Sequence, residues 1–151
     1  MIFYEFGHRY GNIAVEKDIQ ENVTTAISKA QTKPEKRSSS KIKEEIMTEL
    51  YTAGWSSEVE LDPDSRITIT SCKDGIGLVF QTGNVSRMYA DLLKLQAMYL
   101  KEKISAGVFI LPTTTAAKKL GDNISNFERL KKELNIFDRV ISVPIMIYGF
   151  E

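Results

Sequence analysis

The stretch Gly75-Ile76-Gly77-Leu78-Val79-Phe80-Gln81-Thr82-Gly83-Asn84 joins a short apolar run to a polar, glycine-containing end. The run from Ile76 to Gln81 has the length and composition of a buried strand, and the residues after it have the composition of a turn. Because successive strand side chains point to opposite faces, Val79 and Gln81 lie on the same face of this strand. An apolar and an amide side chain are therefore neighbours at its carboxyl end.

The segments on either side of this strand predict its surroundings. Polar and apolar residues alternate from Arg66 to Thr70, which predicts a half-buried strand. We expect it to pair with Ile76 to Gln81 across a turn at Lys73 to Gly75. Downstream, a broad apolar face from Ser86 to about Lys103 predicts a long helix packed on a sheet. The continuous apolar run from Ala106 to Leu111 then predicts a central strand buried on both faces.

The remaining patterns predict helices and strands that alternate along the chain. They are a strand from Ile2 to Phe6, helices at about Val15 to Ala30 and Lys41 to Ala53, a short helix through Lys118 and Leu120, a helix opened by a capping box at Ser125, and a strand from Val143 to Tyr148. This order predicts a single domain over residues 1–151 of mixed α/β (α+β) class, with a mixed central sheet flanked by helices.

Composition restricts the possible functions. The chain has 151 residues, 42% hydrophobic content and a formal net charge of zero, so no whole-molecule field would draw it to a polyanion. One cysteine and one histidine exclude the usual zinc frameworks. No apolar run is long enough to cross a membrane, and Met1 to Phe6 lacks the form of a secretory leader, so we expect a cytoplasmic protein with no membrane partner.

Two local segments are candidates for binding phosphate. Lys33 to Lys43 carries five cations, Lys36 and Arg37 among them, against one acid, although a solvated linker is the commoner meaning of such a run. The second segment is the strand-to-helix junction, where the alternative is a plain turn. Its candidates are Asn84, Ser86 as a helix cap, and Arg87 as a phosphate contact beside free backbone amides.

Several short stretches together resemble the type II restriction endonucleases of the BglII, BstYI and BamHI kind, which have the PD-(D/E)XK nuclease fold. The similar stretches, in the same order, are Gly54-Trp55, Val79 to Asn84, Tyr89 to Leu92, Lys103 to Val108, Ile110 to Pro112 and Ile124 to Glu128. The resemblance implies a restriction-endonuclease-like fold, binding to double-stranded DNA, a homodimer, and Mg²⁺ as the cofactor of phosphodiester hydrolysis.

The same resemblance assigns residues to the catalytic strand. The family's strand glutamate falls on Val79, the polar residue that follows falls on Gln81, and the upstream metal-binding aspartate falls on Thr70 with the BglII spacing. Neither valine nor threonine can replace a carboxylate that anchors Mg²⁺. A glutamine on a strand is, in addition, often only a hydrogen-bonded side chain. Val79 and Thr70 are thus expected to be degenerate catalytic positions, and Gln81 a retained one.

Other acids offer partial substitutes. Alignment on Gly54-Trp55 places Glu44 or Glu45 at the acidic position of the family's early helix, and the BamHI spacing moves the aspartate to Asp62. Asp62 also lies in Asp-Pro-Asp-Ser, a strong turn signal, so a structural role competes with metal binding there. Asp74, in the predicted turn, is the other candidate metal ligand.

Three functions remain open from the sequence. The first is a double-stranded DNA-binding protein whose catalysis is weak or lost because Thr70 and Val79 replace acids. The second is an active Mg²⁺-dependent endonuclease in which Gln81, Glu44 or Glu45, and an acid from Asp62, Asp64 or Asp74 rebuild a cation site. The third is a protein-interaction module that keeps only the fold. A metal cofactor is expected only in the second.

Overall fold

The computed structural model describes all residues from 1 to 151. Its elements, in chain order, are β1 (Phe3–His8), α1 (Gly11–Ala14), α2 (Lys17–Lys29), α3 (Ser39–Thr52), β2 (Val59–Glu60), β3 (Thr68–Ile69), β4 (Ser71–Lys73), β5 (Ile76–Phe80), α4 (Val85–Leu100), β6 (Ala106–Pro112), α5 (Thr114–Leu120), α6 (Phe127–Ile136) and β7 (Ile145–Phe150). None of the six helices has the length and apolar character needed to span a bilayer.

A five-stranded mixed sheet in the order β1-β7-β6-β5-β4 forms the centre of the fold. The inner strands β5, β6 and β7 run parallel, and the two edge strands β1 and β4 pair with them antiparallel. Parallel neighbours need crossover connections, and α4 supplies the one between β5 and β6. The predicted α/β class with a mixed, helix-flanked sheet is confirmed.

Each face of the sheet carries its own apolar core. One core joins α2 and α3 to strand residues that include Leu78 and Phe80, and the other joins α4 and α6 to residues that include Val79. This division follows from the alternation of side chains along β5. Val79 therefore points toward α4, and so does Gln81 two residues later.

The partner of β5 differs from the predicted one. Ser71–Lys73, not Arg66 to Thr70, pairs with β5, whereas Thr68–Ile69 pairs with β2 in a separate two-stranded sheet. The chain leaves one sheet for the other at Thr70, whose hydroxyl Oγ1 accepts a 3.0 Å hydrogen bond from the Phe80 amide. The Thr70 hydroxyl thus accepts the hydrogen bond from the β5 backbone that a backbone carbonyl would accept in a regular strand pair.

Helix starts also differ in detail from the sequence patterns. Helix α2 begins at Lys17, and the residues from Gly11 to Ala14 form a separate short helix. Asn84, rather than Ser86, caps α4, because its side chain accepts from the Ser86 amide. Asn126 caps α6 in place of Ser125.

Candidate functional site

An open cavity of about 640 Å³ lies at the carboxyl end of β5. Elements α3, β3, β5 and α4 contribute to its wall, as does the loop that joins β5 to α4. Its charged or amide-bearing lining residues are Lys43, Glu58, Gln81, Arg87, Asp91 and Lys94, with hydroxyls from Thr68, Thr70 and Thr82. The sequence predicted Thr70, Val79, Gln81 and Arg87 as functional positions, and the structure brings all four to this cavity.

Gln81 is fixed by hydrogen bonds on both ends of its amide. Its Nε2 donates to Asp91 Oδ2 at 2.5 Å, and its Oε1 accepts from the Gly83 amide at 2.7 Å. Only 9% of the residue is exposed. The amide is therefore held in one orientation, and its bonds are made within the protein rather than to solvent.

Asp91 is the acid that lies deepest in the cavity wall. It is 5% exposed, and its second carboxylate oxygen forms a 2.9 Å ion pair with Lys94, one helical turn along α4. A buried carboxylate needs such partners because burial without them is costly. Gln81 and Lys94 thus satisfy Asp91 from the strand side and the helix side respectively.

Ser125 holds the loop between β5 and α4 in place. Its hydroxyl donates to the carbonyl oxygens of Gly83 and Asn84, at 2.9 Å and 3.1 Å. A Cβ atom added to Gly83 would lie 2.8 Å from Gln81 Oε1 and 3.1 Å from Arg87 Cδ. Glycine at this position therefore permits the Gln81 hydrogen bond and lets the Arg87 side chain pass beside the loop.

The donor set of the cavity does not suit a divalent metal ion. Thr70 and Val79 are uncharged, and Val79 is 2% exposed in an apolar cluster. Of the two carboxylates present, Asp91 is engaged by Lys94 and Gln81, and Glu58 lies exposed on the rim. No group of three histidine, cysteine or acidic side chains converges anywhere in the chain. Mg²⁺ keeps several waters but is anchored by one or two carboxylates, and here one carboxylate is paired and the other lies on the rim.

A family model of the restriction endonuclease BglII/BglIII matches residues 6–150. The chain belongs to the BglII restriction endonuclease family. No curated protein matches it.

Two solved structures share the fold. The crystal structure of restriction endonuclease BglII complexed with a DNA 16-mer superposes with a TM-score of 0.88 at 12% identity, covering 99% of this chain and 76% of that one. Free BglII superposes with a TM-score of 0.80 at 14% identity, covering 100% of this chain and 80% of that one. Identities this low establish the common fold alone.

The two acids predicted from the family's early helix lie away from the cavity. Glu44 and Glu45 instead line a separate cavity between α2 and α3. Glu45 accepts hydrogen bonds from the backbone amides of Gln31 and Thr32, and from the Thr32 hydroxyl at 2.5 Å. The Thr32 hydroxyl and amide are the main cause of the lowered pKa of Glu45. The structure therefore does not bring either glutamate to Gln81.

Asp62 and Asp74, the predicted metal ligands, also lie outside the cavity lining. Asp62 is in an exposed turn, where its backbone oxygen accepts from the Ser65 amide and its carboxylate pairs with Lys101 at 3.4 Å. Asp74 and Gly75 adopt left-handed backbone conformations, with φ of 49° and 76°, in the tight turn between β4 and β5. Both aspartates thus lie in turns, a position that the Asp side chain favours.

The predicted phosphate-binding residues occupy two exposed regions. Arg87 lines the cavity, and Asn84 and Ser86 lie beside it at the start of α4. Lys36 and Arg37 are exposed in the segment between α2 and α3. That segment is tied down, since Glu45 binds its start and the Ser38 hydroxyl exchanges hydrogen bonds with the backbone of Glu35 at its end.

Three charged cavity residues were not predicted from the sequence: Glu58, Asp91 and Lys94. Lys43 was predicted only as the last cation of the basic segment from Lys33. A usable signal existed for Asp91, because it lies on the apolar face of α4 between buried Met88 and Leu95. An acid in such a position needs a partner, and Lys94 stands at the i+3 spacing that supplies one. Glu58 gave no such signal, because exposed charged residues are common.

Proposed function

We propose that this chain binds double-stranded DNA and that its metal-dependent cleavage activity is weak or lost. Membership of the BglII family and the likeness to a BglII–DNA complex support the DNA-binding part. The observation that carries the catalytic part is the cavity at β5, where uncharged Thr70 and Val79 stand at the positions that the resemblance assigns to metal-binding acids.

Gln81 adds to the case against efficient catalysis. The resemblance gives it the role of a retained catalytic residue. Its amide, however, is bound to Asp91 and Gly83, so one of its two Nε2 donors and its oxygen are engaged within the protein. In the proposed function Gln81 positions the loop that carries Arg87, and residues 70 and 79 offer no carboxylate to hold Mg²⁺ and activate a water.

DNA binding by a chain of zero net charge has to come from local cations. Arg87, beside the capped start of α4, is the clearest one at the cavity. Lys36 and Arg37 form a second group on an anchored segment before α3. In the proposal these two groups contact phosphates of one duplex.

A homodimer belongs to the same proposal. A palindromic duplex presents equivalent phosphates to two copies related by a two-fold axis, so each copy would use the same surface. Light scattering on the free protein and on the protein saturated with a duplex measures this directly. One copy bound per duplex in the saturated complex would contradict the dimer and leave DNA binding untouched.

Cleavage and binding have to be measured separately. Supercoiled plasmid is incubated with Mg²⁺ or Mn²⁺, and binding of a labelled duplex is followed by fluorescence anisotropy at several salt concentrations. We expect binding that weakens steeply with salt, and no saturable cutting. Robust cutting would instead establish an active Mg²⁺-dependent endonuclease, and absence of salt-dependent binding would favour a protein-interaction module.

Arg87→Gln tests the residue assignment. Loss of one charge-assisted contact to a phosphate, worth about 1.4 kcal/mol, corresponds to about tenfold weaker binding. Arg139→Gln is the matched control, because Arg139 is an exposed arginine that does not line the cavity. Equal affinities for the two variants would remove Arg87 from the interface.

A further inference from the structure

The charged residues of the β5 cavity leave an excess of positive charge. Three cations and two carboxylates line it: Lys43, Arg87, Lys94, Glu58 and Asp91. Asp91 and Lys94 form an ion pair and neutralise each other. Lys43 and Arg87 take part in none of the five ion pairs of the protein, and Glu58 is exposed.

The two unpaired cations come from different elements. Lys43 projects from α3, and Arg87 from the first turn of α4. The Arg87 side chain runs close to Gly83, where an added Cβ would lie 3.1 Å from its Cδ. Two cations on separate elements that line one open cavity can approach a tetrahedral anion from different directions.

Neutral donors complete the lining. The Thr70 hydroxyl accepts from the Phe80 amide through its oxygen, so its own proton remains available to a ligand in the cavity. Thr68 and Thr82 line the same cavity. Hydroxyls and cationic side chains are groups that commonly contact phosphate oxygens.

We infer that this cavity binds a phosphate group directly through Lys43 and Arg87, with no divalent metal ion between protein and phosphate. In a carboxylate-lined nuclease site, a metal ion must offset the repulsion between the acids and the phosphate. Here Thr70 and Val79 are uncharged, so they do not repel the phosphate, and Lys94 neutralises Asp91. The unpaired cations disfavour Mg²⁺. The inference deepens the proposed function and rests on it only for the source of the phosphate, which is then the backbone of duplex DNA.

The test compares three forms of the full chain: the wild type, Lys43→Met, and Lys132→Met. Lys43 is exposed, so its replacement does not disturb the core, and Lys132 is an exposed lysine on α6 outside the cavity lining. A labelled duplex is titrated in EDTA and again in Mg²⁺, across a range of salt concentrations. We expect wild-type affinity in Mg²⁺ to be no higher than in EDTA. Lys43→Met should bind about fivefold to tenfold more weakly in both, with a salt slope smaller by about 1.

Inorganic phosphate is the second probe. It is titrated into labelled protein in EDTA while the backbone amide of Gly83 and the side-chain amide of Gln81 are followed by NMR. These groups lie at the cavity wall, and we expect them to shift in the wild type and in Lys132→Met but not in Lys43→Met. This probe separates a free phosphate ion from a phosphate held in a nucleic-acid backbone.

The outcomes separate this inference from the proposed function. Duplex binding that requires Mg²⁺, or that is equal in Lys43→Met and Lys132→Met, would overturn the inference and leave DNA binding standing. No duplex binding by the wild type would overturn the proposed function, and inorganic phosphate would then decide the inference. A phosphate-induced shift that depends on Lys43 would support it, and no shift would overturn it.

Discussion

Gln81 on the central sheet and Asp91 on α4 are joined by a 2.5 Å hydrogen bond from the amide Nε2 to the carboxylate Oδ2. The bond links the end of β5 to the helix that follows it, across the wall of the cavity. Since Lys94 pairs with the other oxygen of Asp91, the carboxylate is held from two sides. This small network restrains the side chain of Gln81, a residue that the sequence resemblance predicts to be catalytic.

Gln81→Glu should destabilise the fold. The substitution removes the donor to Asp91 and places a second carboxylate next to it. Both residues are buried, with 9% of Gln81 and 5% of Asp91 exposed. A buried charged group that loses its partner costs about 2 to 3 kcal/mol, and urea unfolding measures the difference. The double variant Gln81→Glu with Asp91→Asn, which exchanges donor and acceptor, should recover most of the loss. A single variant as stable as the wild type would show that the bond contributes little.

Thr70→Asp with Val79→Glu should create a metal site. Both side chains line one cavity, so two carboxylates would converge there and bind Mg²⁺. Val79 is 2% exposed, so without metal the new glutamate should destabilise the protein. Mg²⁺ at a hundred times its Kd should return about 2.7 kcal/mol, seen as a rise in Tm.

The matched control for this pair is Thr70→Asn with Val79→Gln, which has nearly the same shape but no charge. Calorimetry should detect Mg²⁺ binding to the acidic variant only. Unchanged Mg²⁺ affinity in the acidic variant would show that residues 70 and 79 do not present their side chains to a common point.

The sequence predicted the sheet well because alternation is a local property. Leu78 and Phe80 lie in one apolar core and Val79 in the other, as the pattern from Ile76 to Gln81 indicated. The parallel strand β6 was equally clear, because a strand buried on both faces is a continuous apolar run. Patterns of this kind need no knowledge of distant residues.

The contacts of the cavity could not be predicted in the same way. Asp91 lies ten residues from Gln81 in the chain, and their hydrogen bond depends on how α4 packs on the sheet. Glu45 was interpreted as a site residue from its place on an early helix, but its position relative to Thr32 is a matter of packing between α2 and α3. The chain passes from the two-stranded sheet to the central sheet at Thr70, and the alternation of polar and apolar residues does not reveal this change.

Glu45→Ala should loosen the basic segment between α2 and α3. The Glu45 carboxylate accepts hydrogen bonds from the backbone amides of Gln31 and Thr32 and from the Thr32 hydroxyl. Removing the carboxylate therefore frees the start of the segment that carries Lys36 and Arg37. Hydrogen exchange should accelerate there without a change elsewhere. Glu44→Ala is the control, because the neighbouring Glu44 is exposed and makes no hydrogen bond through its side chain. Equal protection in both variants would contradict this role.

The same contact should depend on pH. The hydrogen bonds from Thr32 lower the pKa of Glu45 in the folded protein. A lowered folded-state pKa means that the contact stabilises the segment above the ordinary glutamate pKa, and that this stabilisation is lost as pH falls through the folded value. Protection of residues 31 to 37 should therefore decline below about pH 4. Glu45→Ala should show no such step.

His8 should make global stability fall in mild acid. The ring is 4% exposed, and its Nε2 lies 2.6 Å from the Ile141 carbonyl oxygen, so the neutral tautomer with the proton on Nε2 donates there. Burial lowers the pKa of His8 from its usual 6.5, against smaller raising effects of this hydrogen bond and of Asp138. Below pH 6.5 the unfolded chain then binds more protons than the folded one, and unfolding becomes more favourable.

The urea midpoints of unfolding at about pH 7.5 and about pH 5.5 measure this loss of stability, because few other side chains titrate between those values. His8→Gln keeps a hydrogen-bond donor but has no group that titrates in this range, so its urea midpoint should change less between the two pH values. An equal fall in the wild type and in His8→Gln would assign the acid sensitivity to other groups.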